Sequence, residues 1–224
     1  MKQILSSIIL WGIILIGLSA CNNPTPSANT SNVNDSLATN KATTQYSDAD
    51  KLHTAMRKLW EDHITWTRNV ICCLVDNLPG TDQAVKRLMQ NQVDIGDAVK
   101  PYYGDDAGKK LTDLLHDHIA ISADVVKSAK NNDKKGLDSA NKKWYDNADQ
   151  ISDFLSKANP DWKLDDMKMM MHDHLKFTTD EAVARIKKDY DSDIKAYDNV
   201  HDEILKMADM LSDGIIKQFP DKFK

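Results

Sequence analysis

The fold is predicted from one stretch, DADKLHTAMRKLWEDHITWTRNVICCLVDN, at residues 48–77. Its core-facing positions recur every three or four residues, as they do along one face of an α-helix. These positions are Leu52, Met56, Leu59, His63, Trp66, Val70 and Cys73. Ser47-Asp48-Ala49-Asp50 suits an N-cap, and Leu78-Pro79-Gly80 stops the helix. The stretch therefore predicts a long amphipathic helix.

The same spacing continues along the rest of the chain. It predicts further helices at about 81–100, 105–130, 133–158, 163–176 and 179–218. Thr178 with Glu181 forms the pattern of a capping box, which places the start of the last helix there. No stretch alternates with period two for long enough to predict a strand. Because short connections favour antiparallel neighbours, we expect an all-α fold, an up-and-down antiparallel bundle of about five to six helices with a long last helix.

The first residues have the composition of an export signal. A basic start at Lys2 is followed by an apolar run, 4–18, which is shorter than the roughly 20 residues of a membrane-spanning helix. Leu18-Ser19-Ala20-Cys21 resembles the lipobox of bacterial lipoproteins. That resemblance implies cleavage before Cys21 and a diacylglycerol on this cysteine. The alternative is an ordinary secretory signal with a chance cysteine.

Composition then divides the chain into three parts. Residues 1–20 are the predicted lipoprotein signal peptide, 21–46 the lipidated cysteine with a flexible tether, and 47–224 the helical bundle. The tether is rich in Asn, Ser, Thr, Ala and Pro, and such a segment buries too little apolar surface to fold. The expected location is extracytoplasmic, on a membrane through the lipid of Cys21, on either the periplasmic or the cell-surface face.

The overall composition excludes several classes of function. The formal net charge is −5 with both signs mixed along the helices, and the lack of a basic stripe argues against a nucleic-acid partner. Only eight glycines occur, without a phosphate-cradling array, so nucleotide chemistry has no support. Besides Cys21 there are only Cys72 and Cys73, and neighbouring cysteines in a helix do not predict a disulfide framework.

Three histidines fall on predicted apolar faces, each in a different helix: His63, His118 and His174. Three imidazoles with a carboxylate or water would suit zinc or copper. Glu61, Asp94 and Asp209 are candidates for a fourth ligand or for carboxylates that orient the imidazoles. The alternative is that each histidine is hydrogen-bonded separately in the core.

Two other metal sites are compatible with parts of the sequence. Asp113 with His116, and Asp198 with His201, have the acid-x-x-His spacing of di-iron bundles, although the predicted faces put His116 away from the core. A soft-ligand site for Cu(I) would need Cys72-Cys73 near a methionine and histidine cluster. That cluster comprises Met167, Met169, Met170, Met171, His172 and His174. Methionines at helical spacing also serve as core filler.

Several helices combine aromatic and polar residues on one face. The candidates for lining a pocket are Arg68, Asn91, Trp66, Trp144 and Asn147. A buried polar group without a partner costs about 1–3 kcal/mol, so these side chains need partners. They would form either a structural hydrogen-bond network or a pocket for a small polar ligand.

The sequence also resembles a family of uncharacterised all-helical bacterial proteins over about 50–220. The resemblance rests on short motifs: LWEDH with WTR at 59–68, QN at 90–91 with Asp94, YYGD at 102–105, WY with NAD at 144–149, HL at 174–175, and MADM with GII and QFP at 207–220. It implies an all-helical fold and no established activity. Members often carry the names glycosyltransferase or acetylglutamate kinase, but no Rossmann-like alternation or sugar-nucleotide carboxylate pattern is present here.

These observations favour a binding function over catalysis. We expect a membrane-anchored lipoprotein whose bundle holds a metal, such as zinc or copper, or a small polar ligand at the core-facing histidines. The rival is a metal-dependent hydrolase in which Glu61 or Asp94 acts as base to a metal-bound water. A third possibility is an envelope protein-interaction module without a ligand.

Overall fold

A computed structural model describes residues 46–224, which contain six α-helices. The helices are α1 (Asp48–Asp76), α2 (Thr81–Tyr103), α3 (Asp105–Lys130), α4 (Lys134–Ala158), α5 (Leu164–Ile186) and α6 (Tyr190–Gln218), followed by a 3-10 turn at Pro220–Phe223. None of the helices in this range is long and apolar enough to cross a membrane. The predicted signal peptide, Cys21 and nearly all of the tether lie outside the described residues.

The predicted all-α bundle is confirmed. Each helix packs against the next one along the chain, and α6 returns to pack against α1, which closes the bundle. The helices α1, α3 and α5 also contact one another, so they meet in the centre. The predicted N-cap of α1 is confirmed as well, because Ser47 and Asp50 form a reciprocal capping box.

The bundle consists of three helical hairpins of similar size, α1–α2, α3–α4 and α5–α6. Each hairpin turn contains one non-glycine residue with positive φ: Asn77 (53°), Asn132 (55°) and Lys188 (60°). These residues are 55 and 56 positions apart, so they occupy the same place in each hairpin. The regular spacing indicates a threefold internal repeat, which the sequence analysis did not predict.

The boundary between the last two helices differs from the prediction. The predicted helices were 163–176 and 179–218, whereas α5 continues to Ile186 and α6 begins at Tyr190. Thr178 and Glu181 are therefore interior residues of α5, and the capping box predicted there is wrong. The cap of α6 is Asp189, which accepts from the backbone nitrogen of Ser192.

This shift also changes which residues of the last helix are buried. Helical spacing from Val183 and Ile186 would place Tyr190 and Ile194 on the apolar face of a helix 179–218, but they are 49% and 55% exposed. Their places are taken by Asp193 and Ala196, which are buried. The core face of α6 then continues through Val200 at spacings of three and four residues.

The hairpins α1–α2 and α3–α4 approach closely where α2 crosses α3. A Cβ added at Gly96 would lie 2.6 Å from the backbone oxygen of Gly108, and a Cβ at Gly108 would meet the oxygen of Gly96 at the same distance. Both glycines are buried. Only glycine fits at this crossing without moving a helix.

Gly96→Ala should therefore lower the free energy of unfolding, by about 1–3 kcal/mol, because the helices must separate to admit a methyl group. The measurement is urea denaturation followed by circular dichroism. Lys86→Ala, at an exposed position of the same helix, is the control and should change little. A Gly96→Ala protein as stable as the wild type would show that this crossing is not tightly packed.

Candidate functional site

The structure brings His63, His118 and His174 together in one buried layer at the centre of the bundle. They come from α1, α3 and α5 and are 2–3% exposed. The ring centroids of His63 and His174 are 5.7 Å apart, and those of His118 and His174 are 6.3 Å apart. We call these three residues the histidine layer.

The histidines occupy equivalent positions of the internal repeat. They are 55 and 56 residues apart in the sequence, and each follows an aspartate: Asp62, Asp117 and Asp173. The residues four positions later, Thr67, Ser122 and Thr178, all carry a hydroxyl group. The recurrence of Asp-His at this spacing is the signal from which the repeat could have been found.

Each histidine of the layer bonds through Nδ1 to a side chain on the second helix of its own hairpin. Nδ1 of His63 accepts from Nε2 of Gln92 (3.2 Å), and Nδ1 of His174 donates to Oε2 of Glu203 (3.1 Å). Nδ1 of His118 contacts Oδ1 of Asn147 at 2.8 Å. In all three pairs the partners are 29 residues apart. The three hairpins therefore orient their imidazoles in the same way.

His118 also has a partner at its other ring nitrogen. Nδ2 of Asn147 donates to the backbone oxygen of Leu114 (3.1 Å), so Oδ1 of Asn147 faces the ring and accepts from Nδ1–H of His118. The indole N–H of Trp144 donates to Nε2 of His118 (3.2 Å). This arrangement requires the neutral tautomer with its proton on Nδ1.

The surroundings keep the rings of His118 and His63 uncharged. Burial and then the neighbouring imidazole of His174 lower the pKa of His118 to about 3. Burial, followed by the imidazoles of His174 and His118, lowers the pKa of His63 well below its usual value. Since the neutral imidazole is the form that binds metals, these two rings can act as ligands without first losing a proton.

Two buried oxygen atoms beside the layer have no hydrogen-bond partner within residues 46–224. They are Oε1 of Gln92 and Oε1 of Glu203, both on side chains that hold a histidine through another atom. Buried polar atoms are almost always paired. These two oxygens can therefore accept hydrogen bonds from, or contact, a cation bound beside the histidine layer. On the side of Trp60 and Met171, the neighbouring core contains an apolar cavity of only about 20 Å³.

The carboxylates predicted to support the histidines lie elsewhere, and their assignment to this site is wrong. Glu61 contacts His201 at the surface, and Asp209 pairs with Arg57. Asp94 accepts from Gln90 and lies 3.7 Å from Arg87. These side chains are one third to one half exposed. The histidine layer therefore lacks the base predicted for a hydrolase.

The residues predicted to line a polar pocket divide between the histidine layer and two other places in the bundle. Asn147 and Trp144 hold His118, and Asn91 donates to the backbone oxygen of Leu59 beside Gln92. Trp66 packs in a separate apolar cluster and under the guanidinium of Arg87. Arg68 bonds to the buried carboxylates of Glu181 and Asp193, so it belongs to an ion network instead.

The alternative metal sites are also dispersed. His116 bonds to the backbone oxygen of Met89, while Asp113 pairs with Lys109. Nε2 of His201 lies 3.1 Å from Oε1 of Glu61, and Nε2 of His172 lies 2.9 Å from Oδ1 of Asp149.

The methionine cluster divides between core and surface. Met167 and Met171 are buried in the main core, whereas Met169 is 59% exposed. Cys72 and Cys73 are free thiols, and burial raises the pKa of Cys72. In the part of the chain that the structure describes, no three His, Cys, Asp or Glu side chains stand at metal-binding distances.

Gln92 and Glu203 are the site residues that the sequence analysis missed. Both lie on the core face of their helix, Glu203 three positions after Val200 and Gln92 four after Leu88.

Comparison of the chain with protein-family models, curated proteins and solved structures gives no match. The function is therefore argued from the geometry of the layer.

Proposed function

We propose that the chain is a membrane-anchored, extracytoplasmic lipoprotein whose helical bundle binds a transition-metal ion, zinc or copper, at the histidine layer. The observation that carries this proposal is the convergence of His63, His118 and His174 at equivalent repeat positions, each held through Nδ1. A metal-binding histidine is commonly held at one ring nitrogen by a second side chain while the other nitrogen binds the metal.

The separation of the rings supports this proposal. With metal–nitrogen distances near 2.0–2.1 Å, two imidazoles on one ion have centroids roughly 5–6 Å apart. The 5.7 Å between His63 and His174 lies in this range, and the 6.3 Å between His118 and His174 lies slightly above it. Two of the three pairs of rings therefore lie near the separation that a shared ion requires.

The partners of the rings indicate which movements are needed. Nδ1 of His174 donates to Oε2 of Glu203, so Nε2 is the ring nitrogen left to bind a metal. His63 would move its proton to Nδ1. The Gln92 side chain would have to turn so that its unpartnered Oε1 accepts that proton, and its Nε2 would give up its bonds to the backbone oxygen of Leu88 and to Oδ1 of Asn91. Nε2 of His118 would exchange the Trp144 hydrogen bond for the metal. The unpartnered Oε1 of Glu203 is a further oxygen acceptor beside the rings.

The metal proposal is tested by elemental analysis of the full chain, purified in detergent from cells supplied with zinc or copper. We expect about one metal per chain, and we expect His174→Gln to lose it because the ring that contacts both other rings is gone. His172→Gln is the matched control, two residues away on the same helix and turned to Asp149, and should keep the metal. Equal metal content in both variants, or none in the wild type, would overturn the proposal.

The anchoring part of the proposal predicts a diacylglycerol on Cys21. Mass spectrometry of the chain purified from membranes should show a mature N-terminus at Cys21 carrying the lipid, and Cys21→Ser should release the protein from the membrane fraction. Cys72→Ser should stay in that fraction, because Cys72 lies within α1. An unmodified Cys21 on a secreted, lipid-free product would contradict the anchor and leave the metal proposal untouched.

A further inference from the structure

A second cavity lies next to the histidine layer, one helical turn along the bundle. Its volume is about 70 Å³. Thr67, Ser122 and Thr178, which follow the three histidines by four positions, line it together with Trp144. Its remaining walls are mostly aliphatic side chains, among them Val70, Leu88, Val126 and Ala182. None of these residues is charged, so the cavity suits a neutral occupant.

One hydroxyl group in this cavity is left without a partner. Thr67, Ser122 and Thr179 each donate to a backbone oxygen of their own helix. Oγ1 of Thr178 is buried and has no hydrogen-bond partner within residues 46–224, and the residue is only 4% exposed. Because leaving a buried hydroxyl unpaired is unfavourable, Thr178 marks the place where an occupant would contribute a polar atom.

The cavity lies beside an open groove at the surface. Ala129, Leu137 and Val183 line it and also line an open groove of about 340 Å³ beside the α3–α4 turn and the end of α5. The cavity is about half the size of an engineered apolar cavity of about 150 Å³ that binds benzene. In proportion to the six carbon atoms of benzene, about three non-hydrogen atoms would therefore fill the cavity itself, and a four-carbon alcohol would reach towards the groove.

We infer that this cavity is a binding site for a short-chain alcohol, a neutral molecule with an apolar body and one hydroxyl group. The alkyl part contacts the aliphatic side chains of α1 and α3, such as Val70 and Val126, and the hydroxyl bonds to Oγ1 of Thr178. This site is separate from the histidine layer and does not depend on a bound metal. Trp144 contacts both, since it lines the cavity and donates to His118.

The test is an NMR titration of the fragment 44–224, the compact unit that contains all six helices and the core described above. The probe is 1-butanol, and the signal is the indole N–H of Trp144. We expect a saturable shift. Thr178→Val, which removes the hydroxyl at constant size, should weaken 1-butanol binding about three- to tenfold. It should leave the binding of 1-chlorobutane, which lacks the hydroxyl, unchanged.

Two further variants complete the test. Thr179→Val, whose hydroxyl lines the same cavity but bonds to the backbone of Leu175, should bind 1-butanol like the wild type. Ala182→Leu should fill the cavity and abolish the binding of both probes, with its folded state checked by the dispersion of the same spectrum. A shift that does not saturate, an ordered water that 1-butanol fails to displace, or unchanged binding in Thr178→Val would each overturn the inference.

Discussion

Arg68→Met should lower the free energy of unfolding by about 3–5 kcal/mol, because it leaves two carboxylates buried without their main cation. Nη1 of Arg68 lies 2.7 Å from Oε1 of Glu181 and 2.8 Å from Oδ1 of Asp193. The two acidic side chains are only 2% exposed, whereas that of Arg68 is 23% exposed. Arg185 contacts Asp193 at 3.4 Å and compensates part of the loss.

The direction of the effect follows from the cost of burial. Burial raises the pKa of Glu181 to about 7, although Arg68 acts to lower it. Without Arg68, this carboxyl group would have to take up a proton in the folded state, or remain charged in the core. The guanidinium also packs 4.7 Å from the ring of Tyr197, and the methionine retains part of this apolar contact.

The measurement is urea denaturation at pH 8, with Lys142→Met as the control. Lys142 forms an exposed ion pair with Asp146 at 2.7 Å, and its loss should leave the free energy of unfolding nearly unchanged. Combining Arg68→Met with Glu181→Gln and Asp193→Asn should recover much of the loss, because the variant then removes the buried carboxylate charges along with their cation. An Arg68→Met protein within 1 kcal/mol of the wild type, a difference typical of surface substitutions, would contradict the argument.

The same ion network explains where sequence-based prediction of the fold failed. Helix ends set by adjacent residues were predictable, as Ser47 with Asp50 shows. Thr178 and Glu181 have the spacing of a capping box, but Glu181 instead pairs with Arg68, 113 residues away in the sequence. Local spacing contains no information on that partner, so the helix boundary was placed about ten residues too early.

The site was predictable to a similar degree. Periodicity placed His63, His118 and His174 on core faces, since burial of a helix face follows from its apolar neighbours. The residues that hold these rings lie on other helices, and their pairing depends on the packing of the hairpins. Glu61 and Asp94 have carboxylates that suit a metal site, but sequence spacing did not show whether they are buried. Both form contacts at the surface.

The bundle should also lose stability in acid as its buried histidines take up protons on unfolding. The pKa of His118 is about 3 in the folded protein and about 6.5 in an unfolded chain. Between these values the unfolded state binds more protons, so the stabilisation is complete above pH 6.5 and falls as the pH drops towards 3. The slope is about 1.4 kcal/mol per pH unit, and His63, whose pKa is also lowered, adds in the same direction.

One buried group opposes this trend over part of the range. The pKa of Glu181 is raised from 4.5 to about 7, so this group favours the folded state at low pH and loses that contribution as the pH rises from 4.5 to 7. As the pH falls from 6.5 to 4.5, the two histidines therefore lower the free energy of unfolding while Glu181 raises it. Below pH 4.5 carboxylates such as Asp149 and Asp209, whose pKa values are lowered by cationic partners, act together with the histidines. The steepest loss is expected there.

His118→Gln isolates the contribution of a single ring. A metal chelator is present so that no metal competes with protons for the ring. Under these conditions we expect the free energy of unfolding to depend less steeply on pH in this variant than in the wild type. The expected difference is about 1.4 kcal/mol per pH unit between pH 6 and 4. Trp144→Phe removes the hydrogen bond to His118 but no titrating group, so its curve should lie below that of the wild type and run parallel to it. Equal slopes for His118→Gln and the wild type would mean that His118 is protonated in the folded bundle, and the metal site would then lack a neutral imidazole at this position.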